Sequence, residues 1–128
     1  MAARVDVTNT ILEACKTLVP AAEWTVYLKG GSRGNGLYGS VSCDRTEFEQ
    51  QAKGLTWAKA DYKLDIVDMN GENDVDAMAD ILFEAFNGTD MGGLVYDVSV
   101  NRIIYGSVPT SASAEVVELE LSVTYTVG

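Results

Sequence analysis

The sequence contains no histidine. That removes Ser-His-Asp and Cys-His nucleophile pairs and the commonest metal ligand, while carboxylate or lysine chemistry stays open. Only two cysteines are present, Cys15 and Cys43, and neither stands in a C-x-x-C or zinc-like spacing. A reducing compartment keeps both as thiols, and Cys15 reads as a small buried residue of the first helix. No apolar run approaches the roughly 20 residues that a bilayer span needs. The first residues, Met-Ala-Ala-Arg-Val-Asp-Val, lack the hydrophobic stretch of a secretion signal. The expectation is a soluble, intracellular protein without membrane contact. Basic residues are scarce too: 9 Lys and Arg face 19 Asp and Glu, a formal charge of −10. Such a surface repels phosphate backbones, which argues against ordinary nucleic-acid binding. It suits a lumen through which DNA must slide without sticking, and it also simply confers solubility.

What is present is a globular pattern. Apolar residues make up 47% of 128 positions, enough for one core and one domain spanning 1–128. The best-formed element runs from Asn73 to Gly88. Val75, Met78, Ala79, Leu82, Phe83 and Phe86 recur at helical spacing, and Asp74, Asp76, Asp80 and Glu84 lie largely off that stripe. Asn73 or Asp74 caps its start, and Asn87-Gly88 stops it through left-handed conformations.

Around this helix the chain alternates between periods. Val5 to Val19 reads as an amphipathic helix capped by Thr8 or Asn9 and ended by Pro20. Glu23 to Lys29 alternates as a strand. Gly30 to Gly39 holds five of the twelve glycines and reads as a flexible loop or hairpin tip. Ser40 to Cys43 resumes a short strand. Thr46 to Lys53 has helical propensity and an S/T-x-x-E-like start, with a strand as the alternative. Ala60 to Met69 alternates until Val67, where a bulge or a fully covered strand end is expected. Leu94 to Tyr105 is strand-like with a phase shift near Asn101-Arg102. Val117 to Val127 is the cleanest strand: Val117, Leu119, Leu121, Val123, Tyr125 and Val127 face one way and polar residues the other. The order α-β-(β/α)-β-α-β-β implies an α+β fold, a two-layer sandwich of two helices on one face of a mainly antiparallel sheet. The polar outer positions of the last strand fit a second face that meets water or another subunit.

Three patterns are candidates for chemistry. Gly34-Asn-Gly36-Leu-Tyr-Gly39-Ser-Val41 matches G-x-G-x-x-G-x-V, but extended rather than helical residues follow, and the other kinase motifs are missing. A loop that orders on contact with a partner accounts for it better. Asp68, Asn70, Glu72, Asp74 and Asp76 form an oxygen-rich cluster. A calcium loop begun at Asp68 wants glycine and glutamate where Asn73 and Ala79 stand, so a helix start with its turn is the better reading. Asp61, Asp65, Glu118 and Glu120 offer carboxylates for acid–base work, yet on exposed strand faces they read as solvated charges. No catalytic residue, metal ligand or cofactor site is expected, and the protein is read as a non-enzyme.

From Ala60 onward the chain resembles the tail terminator (tail completion) proteins of long-tailed bacteriophages. The resemblance rests on Y-K-L-D-I-V-D at 62–68, the acidic-capped helix D-A-M-A-D-I-L-F-E-A-F-N, I-I-Y-G at 103–106 and V-E-L-E-L-S-V-T-Y at 117–125. The helix and strand from Val5 to Lys29 also fit. About three quarters of the chain is covered, and the glycine-rich segment through Trp57 is not. The resemblance implies a virion structural protein at the tail–neck junction, assembled in the host cytoplasm. Such a protein forms a hexameric ring that caps the tail tube, ends its polymerisation and joins it to the head–tail connector or neck protein. Genomic DNA passes through the lumen without specific binding. Within that reading the glycine-rich stretch Gly30, Gly31, Ser32, Arg33, Gly34, Asn35, Gly36, Leu37 and Tyr38 is a candidate contact arm toward the tail tube or a neighbouring subunit. The alternatives are another phage neck or minor tail protein, or a small acidic ligand-binding module built on the glycine loop.

Overall fold

The computed structural model describes residues 4–26, 36–107 and 114–127. Elements follow in the order α1 (Arg4–Leu18), β1 (Glu23–Val26), β2 (Leu37–Ala52), β3 (Leu55–Asp68), α2 (Val75–Phe86), β4 (Asp97–Ser107) and β5 (Glu115–Val127). The five strands make one sheet in the order β1-β2-β3-β5-β4. β1 runs parallel to β2, and the other pairings are antiparallel. Both helices pack on one face, so the α+β sandwich holds.

The core lies between the helices and that face. α1 buries Val7, Ile11 and Cys15, four residues apart on one stripe. α2 buries Val75, Ala79, Leu82 and Phe86, with Met78 and Phe83 half-buried beside them. From the sheet come Ala58, Ala60, Tyr62, Leu64 and Ile66 of β3 and Val117, Leu119, Leu121, Val123 and Tyr125 of β5. Their alternation is the period-2 pattern of strands with one buried face.

The helix ends follow from side chains. Asp74 caps α2, its carboxylate accepting the Ala77 N–H at 3.0 Å. Asn87 at the C-cap is extended rather than left-handed, and Gly88 alone supplies the positive φ, +85°. α1 starts at Arg4, upstream of the expected caps. Thr8 is therefore inside the helix, and its hydroxyl shares a 2.6 Å hydrogen bond with the buried Tyr62 hydroxyl.

The middle of the chain resolves into a long hairpin. Thr46 to Gln50 is strand, not helix, because β2 pairs with β3 from Leu37↔Asp68 to Ala52↔Leu55 around a two-residue turn, Lys53-Gly54. Gly54, the second residue of that turn, takes a positive φ, +80°, which glycine adopts without strain. No bulge occurs at Val67, whose partners Tyr38 and Val116 lie in unbroken register. The alternation breaks there in sequence only, because β3 ends with an apolar residue outward and Asp68 inward. The bulge expected near Asn101-Arg102 is present, between Val100 and Arg102.

Candidate functional site

The candidate contact arm is divided by the structure. Gly30, Gly31, Ser32, Arg33, Gly34 and Asn35 lie outside the described residues. Leu37 and Tyr38, read as loop, belong to β2, and Leu37 is buried at 1% exposure, so its side chain serves this subunit's own core. Two glycines next to it have local causes. Gly36 has φ +84°, its carbonyl accepts the Met69 N–H at 2.8 Å, and a Cβ there would meet the Asn70 amide at 2.5 Å. A Cβ on Gly39 would meet the Trp24 ring at 2.4 Å. That ring is anchored by its indole N–H, which donates to the Val19 carbonyl at 2.8 Å. Gly39 is followed by strand, so the helix start that the G-x-G-x-x-G fingerprint needs is missing.

The oxygen-rich cluster becomes a turn built on one carboxylate. Asp68 is buried, and its two oxygens accept the backbone N–H groups of Asn70 and Gly71 at 3.1 Å and of Asn73 at 2.7 Å. The Asn73 side-chain amide adds a fourth donor at 3.2 Å. Burial pushes the Asp68 pKa up, but these donors outweigh it and hold the carboxyl below its ordinary range. With Asp74 capping α2, the two central carboxylates of the supposed calcium loop are engaged by backbone. Among the described residues no group of three His, Cys, Asp or Glu side chains is placed to hold a metal ion.

The sheet's outer face carries charges in pairs, most of them across strands. Arg45 meets Asp61 at 2.8 Å and Glu47 at 3.6 Å, Lys63 meets Asp44 at 3.2 Å and Glu118 at 4.0 Å, and Arg102 is bonded to Glu120. Register also sets Asp65 directly against Glu118. Partial burial and the neighbouring Glu118 carboxylate push the Asp65 pKa up to about 6. The sequence offers both residues among its candidate carboxylates, read as solvated charges; which of them face each other comes only from the β3–β5 register. The same face carries an aromatic contact near the hairpin, Trp57 edge-on to Tyr96 with ring centroids 5.2 Å apart. The Cys15 thiol is buried and its pKa is pushed up to about 12, so it is not a nucleophile.

The architecture has a precedent in a solved particle. The chain is similar in fold to a chain of the structure titled "Virion of native gene transfer agent (GTA) particle". The TM-score is 0.55 at 15% sequence identity, over 94% of this chain and 92% of that one. At this identity the likeness is one of fold. No family model and no curated protein matches the sequence.

The sheet presents two strand edges among the described residues. β1 flanks β2 only from Tyr38 to Val41, which leaves the rest of β2 without a described strand on its outer side. β4 is the opposite edge of the sheet. Its first half is closed by the end of α2: the Gly88 N–H donates to the Val98 carbonyl at 2.7 Å, and the Val100 N–H donates to the Asn87 side chain at 3.0 Å. Near these edges stand exposed apolar side chains, Phe48 at 65%, Tyr105 at 55% and Ile104 at 41%. Periodicity flags none of them, because exposure here reflects the absence of a covering element.

Proposed function

We propose that the protein is a structural component of a phage-like virion, and within it the terminator ring of the tail–neck junction. The near full-length fold likeness to a chain of a gene transfer agent virion carries the coarser reading. The finer one is supported by the sequence resemblance to tail terminators and by the open strand edges. Such edges are liabilities in a monomer and assembly surfaces in a closed oligomer. In this reading the ring is a hexamer, caps the tail tube, ends its growth and offers its other side to the neck. The acidic surface favours a lumen that lets DNA pass. No catalytic residue, cofactor or membrane enters the mechanism. The work is done by geometry: subunits that bind one another and the tube end leave no free site for a further tube subunit.

The test is genetic. Particles made without this protein should carry tails of irregular length that fail to join heads, as seen by electron microscopy. Restoring the protein should return uniform, joined tails with about six copies each, following the closed cyclic symmetry of such rings. Normal tails in its absence overturn the terminator reading. Loss of the protein from purified particles overturns the virion reading as well.

A further inference from the structure

The two open edges lie at opposite ends of the sheet and at opposite ends of the strands. The free part of β4, Ile103 to Gly106, lies level with Tyr38 to Val41 of β2, as the paired register through β5 and β3 shows. The free part of β2, Glu47 to Gln50, starts level with Asp97, the first residue of β4, and continues beyond it, past the stretch that the Asn87–Gly88 turn occupies. Among the described residues, no main-chain bond from outside the sheet reaches Ile103 to Gly106 or Glu47 to Gln50. The edges are therefore related by a diagonal step, and their polarity is opposite. β2 and β5 run one way, β3 and β4 the other.

We infer that Ile103–Gly106 of one copy pairs antiparallel with Glu47–Gln50 of a second copy, with Tyr105 directly opposite Phe48 of the second copy. The inference rests on the reading of the protein as a self-assembling ring, and it specifies the joint. Face parity selects the register. Tyr105 pairs with Val117 and Phe48 with Ala58, so both side chains emerge on the helix-bearing face, where neither is covered. Aligning them puts two exposed aromatics in one cross-strand pair, and hides each against the other. On the outer face the same register sets Ile104 opposite Glu49 of the second copy. Arg102 is then a diagonal neighbour of that glutamate, within reach of a long side chain. The step also avoids collision: the capped half of β4 passes beyond the Lys53–Gly54 turn, and β1 of the second copy lies clear of Ile103 to Gly106.

The joint is heterologous, each copy giving β4 and accepting on β2, so it builds rings or helical arrays rather than closed pairs. Its geometry is defined. From the level of Tyr105 to that of Phe48 is eight residues along β3, from Ile66 to Ala58. At about 3.3 Å per residue that is a shift of roughly 26 Å, against a sideways step of four strand spacings, roughly 19 Å. The strands then cross the line joining neighbours at roughly 35°, before sheet twist is added.

Disulfide trapping tests it, because facing residues of an antiparallel pair fall within bridging distance. F48C and Y105C are made as separate proteins in a C43S background, checked for native circular dichroism, and oxidised alone or mixed. The expected result is a covalent dimer in the mixture and in neither protein alone, and a ladder of multimers from the F48C/Y105C chain. Dimers from F48C alone, at the rate of the mixture, overturn the heterologous joint. No dimer in the mixture, while wild-type protein assembles by light scattering, overturns the joint and leaves the ring reading intact. Wild-type protein that stays monomeric both alone and with isolated tail tubes overturns both.

Discussion

The two faces of β3 use the same residue type for opposite ends. Asp68 and Asp65 stand three residues apart on one strand and therefore on opposite faces. Asp68, inward, is fully buried and still ionised more readily than a free carboxylate, because four N–H groups converge on it. Asp65, outward, is only half-buried and yet is harder to ionise, because partial burial disfavours its charge and the Glu118 carboxylate opposite adds to that. Burial alone does not decide the charge state; the donors or acceptors that face the group do. The inner face thus spends its one carboxylate on fixing the turn into α2. The outer face sets two carboxylates side by side, with the Lys63 ammonium 4.0 Å from Glu118.

The sharpest break in this contrast comes from the apolar inner positions. Leu64 is completely buried between the helices and β3's neighbours. Leu64→Ala leaves a cavity that a close-packed sandwich closes only in part, and costs about 3 kcal/mol. Urea denaturation should show the midpoint falling with an unchanged slope. Next is Asp68→Ala, which strands several backbone donors at the mouth of α2 and costs about 2 kcal/mol at pH 7. Its pH signature is specific. A carboxyl with a lowered folded pKa contributes stability above its unfolded value, and loses it as pH falls through the folded one. The gap between wild type and Asp68→Ala should therefore close on acidification below pH 4. A gap that stays constant to pH 2 would show that the carboxylate's charge is irrelevant to the turn.

Much of this architecture was legible in the sequence, and the failures have physical causes. α2 and β5 were readable because their periods are unbroken over whole elements, 3.6 in one and 2 in the other. Thr46 to Lys53 was not, since its local composition suits a helix while fourteen strand pairs with β3 decide the outcome. The glycine-rich stretch reads as loop as far as Gly39. The strand in fact begins at Leu37, because Gly36 supplies the turn and Trp24 leaves no room for a side chain at 39. The broken alternation at Val67 reads as a bulge or a fully covered strand end; β3 ends there without a bulge, on an inward carboxylate held by its backbone donors. The Asp65–Glu118 pair and the diagonal edges depend on register between distant strands, and no local pattern encodes that. The two-layer α+β fold survived these errors because the core faces were right even where element ends were wrong.

The smallest predicted effect sharpens the contrast most, because its sign is reversed. Asp65→Asn removes one member of the outward carboxylate pair and keeps the shape of the side chain. The folded pKa of Asp65 is raised to about 6. A group of that kind contributes stability that is complete below its unfolded value, near 4, and is lost as pH rises through 6. At pH 7 wild-type protein therefore holds the Asp65 carboxylate charged, half-buried and opposite Glu118, at a cost that solvent screening limits to about 1 kcal/mol. Asp65→Asn should accordingly be the more stable protein at pH 7 by that amount, and the advantage should vanish near pH 4. Added salt should shrink it, as screening weakens the repulsion that the substitution relieves. The measurement is a set of urea midpoints at pH 4, 5.5 and 7, with and without salt. Asp65→Asn less stable than wild type at pH 7 would mean that the Lys63 ammonium, 4.0 Å from Glu118, already neutralises the pair. The outer face would then be held together by its charges rather than strained by them. A surface strained at neutral pH is one that a cationic partner can relieve on docking, and this variant separates that surface from an inert one.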